Sequence, residues 1–404
     1  MSPQRTLQRV LPRPAGPAGA VAGEPRGGPS AALMVAAVTV LTSLPVFLPG
    51  AAGGLISADL GWSPARLGAV LAVYWLASLA GAYVTKRAAV PPTVERVLAV
   101  ALGATALGLG CAAAAPGTGL WVSSALGGFA YGSTQPHTNA LLMRRCPPRV
   151  RALAFGLKQA AVPAATLLAS LAMPLLAGPA GWRPVFTVTA VLCALGAVPL
   201  LRRAAPPGDR SARPAGRAGS ALRRDRHLMA LSSAGFFGAM VGNGLGGFLV
   251  LSLTSHGTSL AVAGTTAAAG AVLNIAVRLG AGWLVGRRPG ATGPALTALF
   301  LAGACGTVLL SGTGQAPTTL GALLAYGGGW GWAGLLHYAI GLPHPRREQQ
   351  ATAYSQMGVS LGAATGPLVC GVLFARAPGA MWWTLTAAGL AAAGCTLVAR
   401  RGAR

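Results

Sequence analysis

Acidic side chains are nearly missing from this 404-residue chain, which has six Asp and Glu against thirty-one Lys and Arg. The six are Glu24, Asp59, Glu95, Asp209, Asp225 and Glu348, all in tails, loops or helix ends. No paired carboxylates, and no Ser/His/Asp or Cys/His constellation, can therefore be assembled within the apolar segments, so no catalytic residue and no enzyme is expected. Charge of either sign is scarce, at 9 % of residues, whereas soluble domains carry about a quarter. The six cysteines (Cys111, Cys146, Cys193, Cys305, Cys370 and Cys395) show neither a CxxC pair nor metal-ligand spacing. Free thiols are expected, with no disulfide framework, no metal and no cofactor. The net charge of +25 would suit nucleic acid, but no basic stretch is interleaved with base-stacking aromatics, so none is expected.

What the chain has in abundance is apolar length. Hydrophobic residues make up 53 % and the mean hydropathy is +0.59. Twelve runs are each long enough to cross a ~30 Å hydrocarbon core as a helix: 31–53, 64–85, 95–115, 118–143, 153–177, 184–202, 228–253, 259–285, 292–312, 316–340, 351–375 and 380–399. The run 118–143 is more polar than a simple span. With the N-terminus inside, twenty-six of the thirty-one basic residues fall on cytoplasmic segments. Only Arg66, Arg183 and Arg376 fall outside, and Lys158 and Arg278 lie within spans. This asymmetry predicts a multi-pass protein of the cell membrane, with the bilayer as partner and both termini cytoplasmic.

Residues 1–30 are rich in Pro, Gly and Arg and read as a disordered cytoplasmic tail. The longest internal polar segment is 202–226, and 204–227 reads as a basic cytoplasmic linker. It separates two six-span bundles, 31–203 and 228–400. These echo one another: GAYVTKRAA at 81–89 aligns with GWLVGRRPG at 282–290, and ALAFGLKQAAVPAA at 152–165 with ATAYSQMGVSLGAA at 351–364. A parallel repeat of six-helix bundles is a transporter pattern, with small-molecule cargo held at the midplane between halves.

From 31 to 400 the chain resembles a major facilitator superfamily transporter. That implies an all-α membrane protein with twelve transmembrane helices in two pseudo-symmetric six-helix bundles, here expected as a monomer. The family's gating motif after helix 2 is a Gly, an Asp four residues on, then basic residues and Gly. Gly81, Lys86 and Arg87 fit the first copy, and Gly282, Arg287 and Gly290 the second. Thr85 and Gly286 occupy the Asp positions, so the Asp-based lock is not expected. RALAFGLKQAAVPA at 151–164 and GGGWGWAGLL at 327–336 look like the cyanate- and nitroimidazole-permease-like branch.

A Lys or Arg at a helix centre costs about 2.5–3.5 kcal/mol on insertion scales. Lys158 either snorkels toward the cytoplasmic interface or faces the central cavity and attracts an anion. Arg278, one turn after Asn274, either contacts helix-end carbonyls in the gate or binds substrate. In monocarboxylate-type members of the family an Arg at this place contacts the substrate carboxylate, but Asn274 replaces their proton-carrying Asp. In the fourth span Tyr131, Gln135, Thr138 and Asn139 share one face, while His137 points elsewhere and suits a helix–helix hydrogen bond. Tyr326, Trp330 and His337 form a second stripe in the tenth span. The resemblance implies that helices 1, 4, 7 and 10 line the cavity, which adds Thr42 and Asn243 as candidates. The expected function is secondary transport of a small organic or inorganic anion by alternating access. The alternative is efflux of drugs or small hydrophobic compounds by proton antiport. With no intramembrane carboxylate, His137 and His337 are the candidate proton-linked groups.

Overall fold

Ser63 and Pro64 show how the first helices are set. The Arg66 amide donates to the Ser63 hydroxyl at 3.3 Å, and Pro64 occupies a first-turn position where its missing N–H costs nothing. The computed structural model describes residues 28–87, 93–176, 181–204, 225–344, 347–376 and 378–401, so most of the expected tail and linker lie outside the described residues. The first half runs α1 (Gly28–Ala51), a short α2 (Gly53–Leu60), α3 (Pro64–Arg87), α4 (Val94–Ala114), α5 (Pro116–Arg145), α6 (Pro148–Leu176) and α7 (Arg183–Arg203). The second runs α8 (Arg226–Ser255), α9 (Leu260–Arg287), α10 (Thr292–Leu310), α11 (Gln315–Leu324), α12 (Ala333–Gly341), α13 (Glu348–Arg376) and α14 (Pro378–Arg401).

Ten of these helices are long and apolar enough to span a membrane by themselves. The remaining two crossings are α5, whose Gln, Asn, His and Thr side chains lower its hydropathy, and a tenth crossing that is not one helix. That crossing is α11, a π-helical turn at Ala325–Gly329, and α12. Five glycines within 327–334 withhold the side-chain packing that would keep a uniform α-helix. Large apolar side chains such as Val100, Leu107, Leu195, Leu368, Val372 and Leu390 point away from the core, as lipid requires and water would not tolerate.

Packing within the halves repeats. In the first half α1 packs on α6, α3 on α5, and α4 on α7; in the second α8 packs on α13, α9 on the π turn, and α10 on α14. The α8–α13 contact is close because Gly362 and Gly366 meet the backbone oxygens of Phe236 and Met240, leaving no room for a Cβ. Across the halves, α6 meets α9 and α3 meets α13, which are equivalent pairs under a pseudo-two-fold axis.

Candidate functional site

The helix ends that carry Arg144, Arg149, Arg151 and Arg287 form a basic rim, and here the halves are pressed together. A Cβ on Gly156 would lie 2.4 Å from the Arg278 oxygen, and one on Gly282 2.6 Å from that of Ala152. Gly286 meets the Arg149 oxygen in the same way, at 2.4 Å. Phe155 stacks edge-on against Tyr338 at 6.1 Å, and the Ser78 and Ser360 hydroxyls bond at 2.9 Å. Arg144 stands 3.8 Å from Glu348. His137 donates through Nδ1 to the Ser133 carbonyl at 2.9 Å and meets the Gln349 amide across the halves at 3.1 Å.

The motif residues divide between the halves. Gly81 packs on the Phe129 oxygen within the first half, and Thr85 donates to the Gly81 and Ser133 carbonyls. Lys86 and Arg87 close α3. Arg287 stacks over the Trp283 ring at 3.9 Å, and Gly290 sits in an open 3₁₀ turn. Gly286 explains its own departure from the motif: an Asp side chain has no space in this seam.

Above the seam sits a cluster of buried polar groups. Lys158 does not snorkel to the interface; it is fully buried, and its Nζ donates to the Gln135 carbonyl at 3.2 Å and to Asn139 Oδ1. Arg278 is buried too, and spans the halves: Nη1 donates to the Gln159 carbonyl of α6 and Nη2 to the Trp330 carbonyl at 2.7 Å. The π turn frees backbone carbonyls, and donors come from α9 and from the tenth crossing itself. Asn274 Nδ2 reaches the Tyr326 oxygen at 2.5 Å, and Trp332 Nε1 takes that of Gly329 at 2.9 Å. Such satisfaction is obligatory where no water is present.

The same break corrects the expected stripe of the tenth span. Tyr326 packs against Gly270 of α9 and Trp330 against Gly242 of α8. His337 instead faces α6, where the Gln159 amide lies 3.4 Å from its Nδ1. These three therefore do not form one wall, because the π turn shifts the helical register. Tyr131 packs edge-on with Trp75 at 5.9 Å and lies within electrostatic reach of Arg278. Thr138 and Thr42 turn back onto their own helices, to Thr134 and Val38. Asn243 donates to the Ala239 carbonyl and is half-buried, as is Trp330.

Gln159 and Gln356 had not been singled out as site residues. Gln159 is next to Lys158 in the chain and touches both Arg278 and His337; Gln356 bonds Ser360 and approaches His337. Their signal was a glutamine inside an apolar run, near the middle of each repeated segment.

Several buried atoms of this cluster have no hydrogen-bond partner among the described residues: Gln135 Oε1 and Nε2, Asn139 Nδ2, Asn274 Oδ1, Arg278 Nε and His337 Nε2. Each would cost about 1–3 kcal/mol if left dry, so their convergence between the halves marks a place that water or a solute fills. Among the described residues, no three His, Cys, Asp or Glu could hold a metal ion.

No curated protein matches the sequence. The fold has many solved counterparts. The crystal structure of the human organic anion transporter MFSD10 (TETRAN) aligns at a TM-score of 0.69 with 16 % identity, covering 91 % of this chain and 99 % of that one. The transporter FucP in the outward conformation aligns at 0.70 with 14 % identity, covering 94 % and 100 %. A variant of the E. coli fucose:proton symporter FucP gives 0.70, 15 %, 94 % and 99 %. The family model described as Major Facilitator Superfamily matches residues 33–342. With twelve crossings in two equivalent halves and a polar cluster between them, the chain belongs to the Major Facilitator Superfamily of membrane transporters.

Proposed function

We propose that this transporter carries a small organic or inorganic anion, bound between the halves beside Lys158 and Arg278. One observation carries the reading: the two cations come from opposite halves, both are buried, and among the described residues no carboxylate accompanies them in the cluster. Carbonyl and amide dipoles solvate the two cations but do not cancel their net charge, which an anionic cargo would reduce. Gln135 Nε2, Asn139 Nδ2 and Arg278 Nε are unpartnered donors for such a cargo. Its apolar part would lie against Trp330. The resemblance of 151–164 and 327–336 to the cyanate- and nitroimidazole-permease-like branch, and the fold shared with an organic anion transporter, agree with this.

The protein would work as a monomer in the cell membrane, with the basic rim and both termini cytoplasmic. The closed rim would then make the described state one that is shut toward the cytoplasm. Efflux of drugs or small hydrophobic compounds by proton antiport is the second reading, favoured by the half-buried Trp330 beside the exposed Gly246.

A thermal-shift screen separates the two, since a ligand that binds only the folded state raises its melting temperature. Organic and inorganic monoanions should stabilise the purified wild type and leave Lys158→Met unmoved. Stabilisation by hydrophobic compounds alone, equal in both proteins, would replace the anion reading with the second.

A further inference from the structure

His337 is the described histidine that combines depth with a free nitrogen. Its Nδ1 lies 2.8 Å from the Ala333 carbonyl, an acceptor only, so Nδ1 carries the hydrogen and Nε2 presents a bare lone pair. That Nε2 is buried with no partner at hydrogen-bond distance, and the Gln356 side chain stands just beyond it, placed to accept from a protonated ring. The other four differ. His137 engages both nitrogens. His344 holds Ile340 and Asp225 at the chain's basic end. His227 and His256 bond the Ala399 and Ser252 carbonyls near helix ends.

The charged groups facing His337 are Lys158 from α6 and Arg278 from α9; Gln159 of α6 and Gln356 of α13 are its neutral neighbours. Tyr131 of α5 reaches the group only through Arg278. No acid faces it among the described residues. A proton on Nε2 would therefore add a third positive charge to an unbalanced pair, which is unfavourable in a water-poor site. A bound monoanion cancels one of those two charges, so the proton then does no more than restore the field of the empty site. Resting on the anion reading above, we infer that His337 Nε2 is a proton-binding site filled together with the anionic cargo, so that one proton travels with one monoanion. The proton comes from water on the open side and forms an N–H bond with the Nε2 lone pair. The anion supplies the compensating charge, and the cargo load is electrically neutral.

Reciprocity makes this measurable: if the anion promotes proton binding, acid promotes anion binding. Titration calorimetry with methanesulfonate and benzenesulfonate, anions that stay ionised throughout, attributes any proton uptake to the protein. In wild type, affinity should fall toward tenfold per pH unit across part of the range from about pH 5 to 8, with about one proton taken up per anion. His337→Gln, or His337→Asn if the first does not fold, should bind with a flat pH profile and no proton uptake. His344→Gln should keep the wild-type slope. Sulfonate binding with a flat profile in wild type, or an unchanged slope in both His337 variants, overturns the proton site and leaves the anion reading standing. No binding by sulfonates or by acetate, lactate and benzoate at any pH overturns the anion reading and this site with it.

Discussion

Arg278 and Asn274 both take up carbonyls of the glycine-rich tenth crossing. A glycine-rich segment releases carbonyls, and one turn of α9 presents an amide and a guanidinium to take them. Asn274→Ala leaves the Tyr326 carbonyl unpaired and should destabilise the fold by about 1–3 kcal/mol, read as a lower unfolding midpoint in detergent. Substituting Arg278 would mix loss of charge with loss of this support, which is why Lys158 is the cleaner probe of cargo. Among the described residues Lys158 has two partners, a carbonyl and an amide oxygen of α5. Tyr131, Gln135 and Asn139 were legible as one face of a helix because i, i+4 spacing is local. Their meeting with Lys158 was not, since it depends on how α5 and α6 pack. The stripe Tyr326, Trp330, His337 was misread because a π turn leaves no periodic mark, only a run of glycines.

At the scale of elements, we propose that the α6–α9 seam takes the place of the missing Asp lock. Gly156, Gly282 and Gly286 let backbone meet backbone across the halves, so closure relies on shape more than charge. Cysteines placed at Ser78 and Ser360, whose hydroxyls are 2.9 Å apart, should cross-link readily. Adding Gly286→Asp should slow that cross-linking at least about tenfold, a bias of roughly 1.4 kcal/mol against the closed rim; an unchanged rate would show that the seam does not control closure.

A second rim element joins the end of the linker to the α12–α13 connection. Asp225 caps α8 through the Leu228 amide at 3.0 Å and meets His344 Nε2 at 2.7 Å. Burial alone would raise the Asp225 carboxyl, but the Leu228 amide and His344 outweigh it and hold it below its ordinary 3.8. A depressed carboxyl contributes stability that is fully present above that ordinary value and is lost as pH falls through the lower folded one. Asp225→Ala should thus cost about 1 kcal/mol near neutral pH, with the gap to wild type closing below about pH 4 in acid unfolding curves. The degenerate motif was visible in the sequence; that a glycine at its Asp position is sterically required was not, because the opposing surface is Arg149 of another helix.

Over the whole molecule, the twelve crossings and the two-fold repeat were written in hydropathy and in two aligned segments about 200 residues apart. Packing follows the repeat, α1–α6 with α8–α13 and α4–α7 with α10–α14. What breaks the symmetry is the chemistry: Lys158 aligns with Met357, and Arg278 with Ala77. Each half therefore brings one cation to a shared interface, and the cargo would be what lets them stay there while the rim opens and closes. The most direct test is uptake of a labelled monoanion, chosen by the thermal-shift screen, into proteoliposomes holding equal amounts of wild type or Lys158→Met. Loss of one charge-assisted contact worth about 1.5–3 kcal/mol predicts uptake at subsaturating anion reduced by roughly tenfold to a hundredfold. Equal uptake by the two proteins would contradict an anion held at Lys158.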